Sequence, residues 1–250
     1  VPIDFQMCKD ASVEGVIILD PAGWTLNTFG CENVTIENVK IISARPNGDG
    51  ITTQSCKNLT ARNCFVRSWD DSLVVKNYGN GVSENILFKD IVIWSDLAQS
   101  CEIGYETLGP RMDGITFEDI TVLHNFHKPV MSIHNSDQAH IQNVTFRDIT
   151  VEDAQMGLGD ATNDNFLIDL SIAESQWSRS EERGNISNVL FENITVLGGL
   201  HTPSRIRGFD ESHAIDGVTI RNLNILGNRI DSLEAGKIRV EGAVKDVRID

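Results

Sequence analysis

Positive charge is scarce in this sequence: 21 Lys+Arg stand against 36 Asp+Glu, a formal net charge of −15. Such a surface repels phosphate backbones and anionic lipid, so nucleic-acid and membrane-surface partners are not expected. No stretch approaches the roughly 20 consecutive apolar residues that a spanning helix needs. The N-terminal VPIDFQMCKD also lacks the basic segment and apolar run of a secretory leader. A mature form or a fragment would lack one in any case. The five cysteines (Cys8, Cys31, Cys56, Cys64, Cys101) are odd in number and none has C-x-x-C spacing. They read as mostly buried thiols, and neither a metal nor a cofactor is expected.

What is present is a core's worth of apolar residues, 40% of 250, patterned for one domain spanning 1–250. A short phrase recurs down the chain: CENVTIENVKII from Cys31, CKNLTARNCFV from Cys56, SENILFKDIVIW from Ser83 and MDGITFEDITVL from Met112. It returns as HIQNVTFRDITV from His140, NISNVLFENITV from Asn185, AIDGVTIRNLNI from Ala214 and AVKDVRID from Ala243. Measured between the turn residues Asn33, Asn58, Asn85, Gly114, Asn143, Asn188, Gly217 and Asp246, the intervals are 25, 27, 29, 29, 45, 29 and 29. Within each copy apolar and polar residues alternate, the period of strands. An Asn or Asp (Asn38, Asn63, Asp90, Asp119, Asp148, Asn193, Asn222) divides the copy into two strands, because these residues tolerate the left-handed conformation.

No helical i, i+3, i+4, i+7 spacing and no Leu-x-x-Leu-x-Leu frame is visible, which excludes the common helical and leucine-rich repeats. The expected fold is all-β: a single-stranded right-handed parallel β-helix, a three-sheet solenoid stacked at roughly 4.8 Å. Coil-like sequence begins almost at once, with VEGVIILD, so an N-terminal cap is expected to be missing. The turn asparagines create sequons at Asn33, Asn58, Asn143, Asn185 and Asn193, but their repeat-equivalent places favour a ladder of side chains over glycosylation. Cys31 and Cys56 are expected to stack as thiols. The long interval holds an insertion, about 157–183, expected to wall one edge of a binding face.

Three aspartates break the alternation: Asp49 in RPNGDGITTQ, and Asp70 with Asp71 in RSWDDSLVVKN. Asp71 follows Asp49 by 22 residues, about one short coil, so the two are expected to be vertical neighbours on a third strand with Asp70 beside them. Clustered carboxylates repel, so at least one stays protonated near neutral pH. One acid and one base are what glycoside hydrolysis requires. A calcium site or plain surface charge is the competing reading of the same residues.

These segments resemble the N-x-D-G and D-D motifs of polygalacturonase-like enzymes, glycoside hydrolase family 28. The run DDSLVVKNYGNGVSENILFKDIVIWSD with ITVLHN is also similar to the dextranase and isopullulanase group, family 49. The resemblance spans roughly 25–160. It implies an inverting glycosidase acting on α-linked polysaccharide, with Asp70 as general acid and Asp49 with Asp71 holding and deprotonating the water. It also implies an extracellular or periplasmic location.

Where polygalacturonases carry G-H-G-L-S-I-G, this chain reads Ala98-Gln99-Ser100-Cys101-Glu102-Ile103-Gly104. Where they carry R-I-K it reads Ser132-Ile133-His134. Without that Arg–Lys pair, and with Glu102 and Glu106 nearby, an anionic sugar would be repelled, so a neutral glycan is the expected substrate. Expected substrate contacts are Trp69, Lys76, Gln99, Glu102, Tyr105 and His134. His124, His127 and His134 have no ligand spacing. Two other functions compete: a calcium-dependent pectate-type lyase, for which only Lys76 and Arg67 lie near enough to act as base, and a non-catalytic carbohydrate-binding β-helix.

Overall fold

The structure is a computed structural model describing residues 1–156 and 166–250. Every ladder but one hairpin at the C-terminal end is parallel, and no helix occurs among the described residues. The chain winds so that each coil adds one strand to a nine-stranded sheet and a longer segment to a second, twelve-stranded sheet. This is the expected β-helix.

The two strands expected in each copy prove in most coils to be one bent strand, such as Lys57–Ser68 or His140–Val151. The bend falls on the Asn or Asp corner, and Asn63, Asp90, Asp119, Asp148 and Asn193 all have φ of 53–56°. A single left-handed residue redirects the chain without breaking the ladder on either side, so two faces of the solenoid share one hydrogen-bonded sheet.

Side chains at the other turn form the expected ladder. The Asn58 amide donates to Asn33 Oδ1 at 3.1 Å, Asn85 to Asn58 at 3.1 Å and Asn188 to Asn143 at 2.6 Å. Where Gly114 interrupts, Asp113 takes over and accepts from Asn143 at 2.7 Å. The cysteines also stack as thiols: the Cys31 N–H points at Cys56 Sγ, 3.3 Å away, and the Cys8 N–H at Cys31 Sγ, 3.4 Å away.

Inside, equivalent residues stack along the axis. Phe88, Phe117, Phe146 and Phe191 are in register, with ring centroids 5.1, 5.0 and 4.9 Å apart. That spacing is the strand separation itself, so identical residues in successive coils pack face to face.

The expected insertion is narrower than 157–183. Residues 157–165 lie outside the described residues, but Ile168–Ile172 is an ordinary strand of the nine-stranded sheet, between Met131–Asn135 and Ser204–Arg207. Its alternation (Ile168, Leu170 and Ile172 inward) lacks the turn phrase that marks the other copies. Among the described residues, the segment between this strand and Asn185–Val196 carries no strand.

Candidate active site

The outer face of the nine-stranded sheet is polar where its inner face is apolar. Both faces are buried over the middle strands, Leu73–Asn77, Met131–Asn135 and Ile168–Ile172. A cavity of about 750 Å³ lies against it.

All three aspartates line that cavity, but not from a third strand. They sit in the turns that lead into Ile51–Gln54 and Leu73–Asn77. There the chain passes from one sheet to the other, and side chains can point out of the solenoid without displacing core. Ile51 pairs with Leu73, which puts Asp49 and Asp71 in vertical register as expected. The backbone locks this: the Gly50 N–H donates to the Asp71 carbonyl at 2.8 Å and the Ile51 N–H to the Ser72 carbonyl at 2.9 Å. A Cβ on Gly50 would stand 2.3 Å from that Ser72 oxygen, so the N-G-D-G turn needs its second glycine.

Asp49 and Asp71 are 2% and 7% exposed, in the cavity floor. Asp70 is half-buried, in the wall, where its Oδ1 accepts the Asp71 N–H at 3.0 Å. Burial raises the Asp49 pKa to about 7; nearby Lys76 pulls it down, and the proximity of the Asp70 and Glu106 carboxyls pushes it up. Burial also raises Asp71 well above the usual range, with the Asp49 charge adding to it. The stacked pair thus holds a proton near neutral pH, through burial first and repulsion among the carboxylates second.

Lys76 supplies the counter-charge, 3.2 Å from Glu106 and 4.0 Å from Asp49. Burial alone would lower its pKa, but Asp71, Asp49 and Glu106 outweigh it and keep the ammonium protonated. Gln99 and Tyr105 also line the cavity, and the Gln99 N–H donates to Asp71 Oδ1 at 3.4 Å.

Three expected contacts fall elsewhere. Trp69 is half-buried and does not line the cavity; its carbonyl accepts the Ala98 N–H at 3.1 Å. Glu102 is fully buried (0% exposed), under Ser132 and His134. His134 is clamped between Glu102 at 2.8 Å and Asp169 at 3.1 Å and opens instead on a smaller cavity. Burial would lower its pKa, but those two carboxylates raise it to about 10, so it is a fixed cation. The motif comparison put Glu102 and His134 at the cleft; it could not reveal that they satisfy each other.

The aromatic residues at the main cavity are Trp24, Tyr105 and Trp177. Trp24 was not anticipated. Leu26 pairs with Ile51, so Trp24 occupies the turn of Asp49 one coil earlier, where its ring lies 4.8 Å from Lys76 Nζ. Counting one coil back from Asp49 would have found it. Lys128, also unanticipated, lines the cavity from the turn after Gln99. Ser175, Gln176 and Trp177, from the segment after Ile168–Ile172, also line the cavity.

Residues 2–232 match glycosyl hydrolases family 28. The chain belongs to this family. It is 25% identical over 131 residues (49% of the chain) to a probable polygalacturonase of Vitis vinifera, and 29% identical over 94 residues (37% of the chain) to a polygalacturonase of Brassica napus. Those alignments cover 27% and 23% of the two relatives. Among solved structures, this family 28 chain superposes on an exopolygalacturonase of Thermotoga maritima with a TM-score of 0.64 at 21% identity, covering 91% of this chain and 55% of that one. A family 28 exopolygalacturonase of Yersinia enterocolitica gives 0.54 at 14% identity, over 94% and 44%. The chain thus spans about a quarter of the curated relatives and about half of the solved ones.

Proposed function

We propose that this family 28 chain is an inverting glycosidase that hydrolyses α-linked, acidic polysaccharide of the polygalacturonan kind. The observation that carries the reading is the division of the three aspartates: Asp49 and Asp71 stacked in the floor, Asp70 in the wall. The floor pair shares a proton, which leaves one carboxylate oxygen able to take a proton from water. Asp70, the most accessible of the three, gives its proton to the leaving glycosidic oxygen as the water oxygen bonds to the anomeric carbon from the opposite face. The C–O bond to the leaving sugar breaks, its oxygen carries away the Asp70 proton, and the floor pair keeps the water's. The aromatic faces of Trp24, Tyr105 and Trp177 suit sugar rings.

The neutral glycan expected from the sequence finds no support. The named relatives are polygalacturonases, and the two cavities are lined by Lys76, already expected there, and by Lys128, Arg205 and Arg207, which the local motif comparison did not take in. A lyase needs an unprotonated base. Lys76 is held as a cation, and Arg67 is spent on Asp96 at 2.9 and 3.2 Å.

The test is reducing-end release from polygalacturonate, with the product anomer followed by proton NMR. Inversion is expected, and Asp70→Asn should lose at least about 100-fold in turnover while keeping the fold. Undiminished release by that variant, or a retained anomeric configuration, would defeat the proposal.

A further inference from the structure

The smaller cavity, about 250 Å³, shares only Tyr105 and Ser175 with the catalytic one. It arises from a row of the nine-stranded sheet in which Gly104, His134, Ser171 and Arg207 are register neighbours. Gly104 and Ser171 contribute almost no side-chain volume, and that space is the hollow. Tyr105 stacks on His134 with centroids 4.3 Å apart and planes at 2°, making one wall.

The charges here are ordered in depth. Glu102 and Asp169 are fully buried beneath, with His134 between them and Arg205 bonded to Asp169 at 2.7 and 3.0 Å. Each buried anion therefore already faces a cation. Above them Arg207, half-buried, lines the cavity and makes no ion pair among the described residues, even with its register neighbour Glu241. The other carboxylate at this cavity is exposed Glu174 on the rim. An arginine at a hollow and in no ion pair among the described residues, on a chain with net charge −15, is out of keeping with its surroundings. A planar fork of donors matches a carboxylate.

We propose that this cavity is a carboxylate subsite, in which Arg207, beside Arg205, grips a uronate of the same glycan chain that is cut at the aspartates. It rests on the reading of the cleft as a glycan site. The strand of Arg207 lies four beyond Leu73–Asn77, the strand that Asp71 leads into, about 19 Å along the solenoid at the usual strand spacing. The gripped uronate is therefore several sugars from the scissile bond. Arg207 stands two strands beyond His134, whose own segment, Ser132-Ile133-His134, supplies neither arginine nor lysine to the same cavity.

Calorimetric binding to Asp70→Asn protein separates this proposal from the hydrolase reading, because no turnover is needed. Hexagalacturonate and its fully methyl-esterified form are titrated into Asp70→Asn, Asp70→Asn/Arg207→Gln and Asp70→Asn/Arg207→Lys. Loss of a charge-assisted hydrogen bond predicts that Arg207→Gln raises the Kd of the acidic hexamer about ten-fold or more. The ester's Kd should stay within about two-fold, and Arg207→Lys should recover part of the acidic binding. Unchanged affinity of the Gln variant for the acidic hexamer overturns the subsite. So does an equal loss for acid and ester, or failure of the Asp70→Asn protein to bind either.

Discussion

The ammonium of Lys76 stands 4.0 Å from the carboxyl of Asp49, both of them nearly out of reach of solvent. Lys76 extends from the strand Leu73–Asn77 and Asp49 from the turn before the neighbouring strand, so the contact links two coils. The same cation faces Asp71 and Glu106, and Trp24 covers it. Burial raises the proton affinity of the floor pair, and this one positive charge holds it down.

Lys76→Met should destabilise the fold by about 3–5 kcal/mol above pH 8, where it strands buried carboxylates without a partner. Near pH 5 the cost should be smaller, because Asp49 and Asp71 are then protonated. Urea unfolding at the two pH values measures the difference, and an equal cost at both would contradict the assigned proton.

Stability should fall as pH rises from about 4 to about 7. Asp49 titrates at about 7 in the fold against about 3.9 unfolded, so between those values the native state binds more protons and loses stability as pH climbs. Asp71 acts in the same direction. His134, raised to about 10, contributes stability that is full below about 6.5 and is lost through pH 10. Asp169 works the other way. Burial would raise its pKa, but bonds from His134 and Arg205 lower it, so its contribution is present above about 3.9 and lost in stronger acid. The maximum is therefore expected near pH 4–5. Denaturant melts across pH 3–10 locate it, and Asp49→Asn should flatten the slope between 4 and 7.

Gly50→Ala should damage activity more than stability. The added methyl meets the Ser72 carbonyl at 2.3 Å and Val66 Cγ1 at 2.4 Å, forcing the Asp49 turn away from Asp71. Overpacking of this kind costs about 1–3 kcal/mol. A shift of about 1 Å in a reacting group can cost about 100-fold in rate. Comparing kcat/KM with the unfolding free energy of the same variant distinguishes the two effects.

The solenoid was legible in the sequence because its cause is local and repeated. Alternation at Val144, Phe146, Ile149 and Val151 gives the strand, and Asn143 and Asp148 give its two corners. The 29-residue return to Met112 and its neighbours gives the stacking. The vertical pairing of Asp49 with Asp71 followed from the same arithmetic. Trp24 escaped because its PAGW turn carries no repeat phrase, and the strand Ile168–Ile172 escaped for the same reason.

Tertiary structure alone decided how charges are shared. The sequence placed Glu102 and His134 on the sugar-facing side but could not say that they would bond to each other and to Asp169, thirty or more residues apart, and leave the cleft. Nor could it show Arg205 and Arg207 arriving on the same face several coils later, since the pairing of a cation with an anion depends on distance through space. Periodicity fixes which face a residue occupies. Only the folded stack fixes which neighbour neutralises it, and hence what charge remains for a substrate.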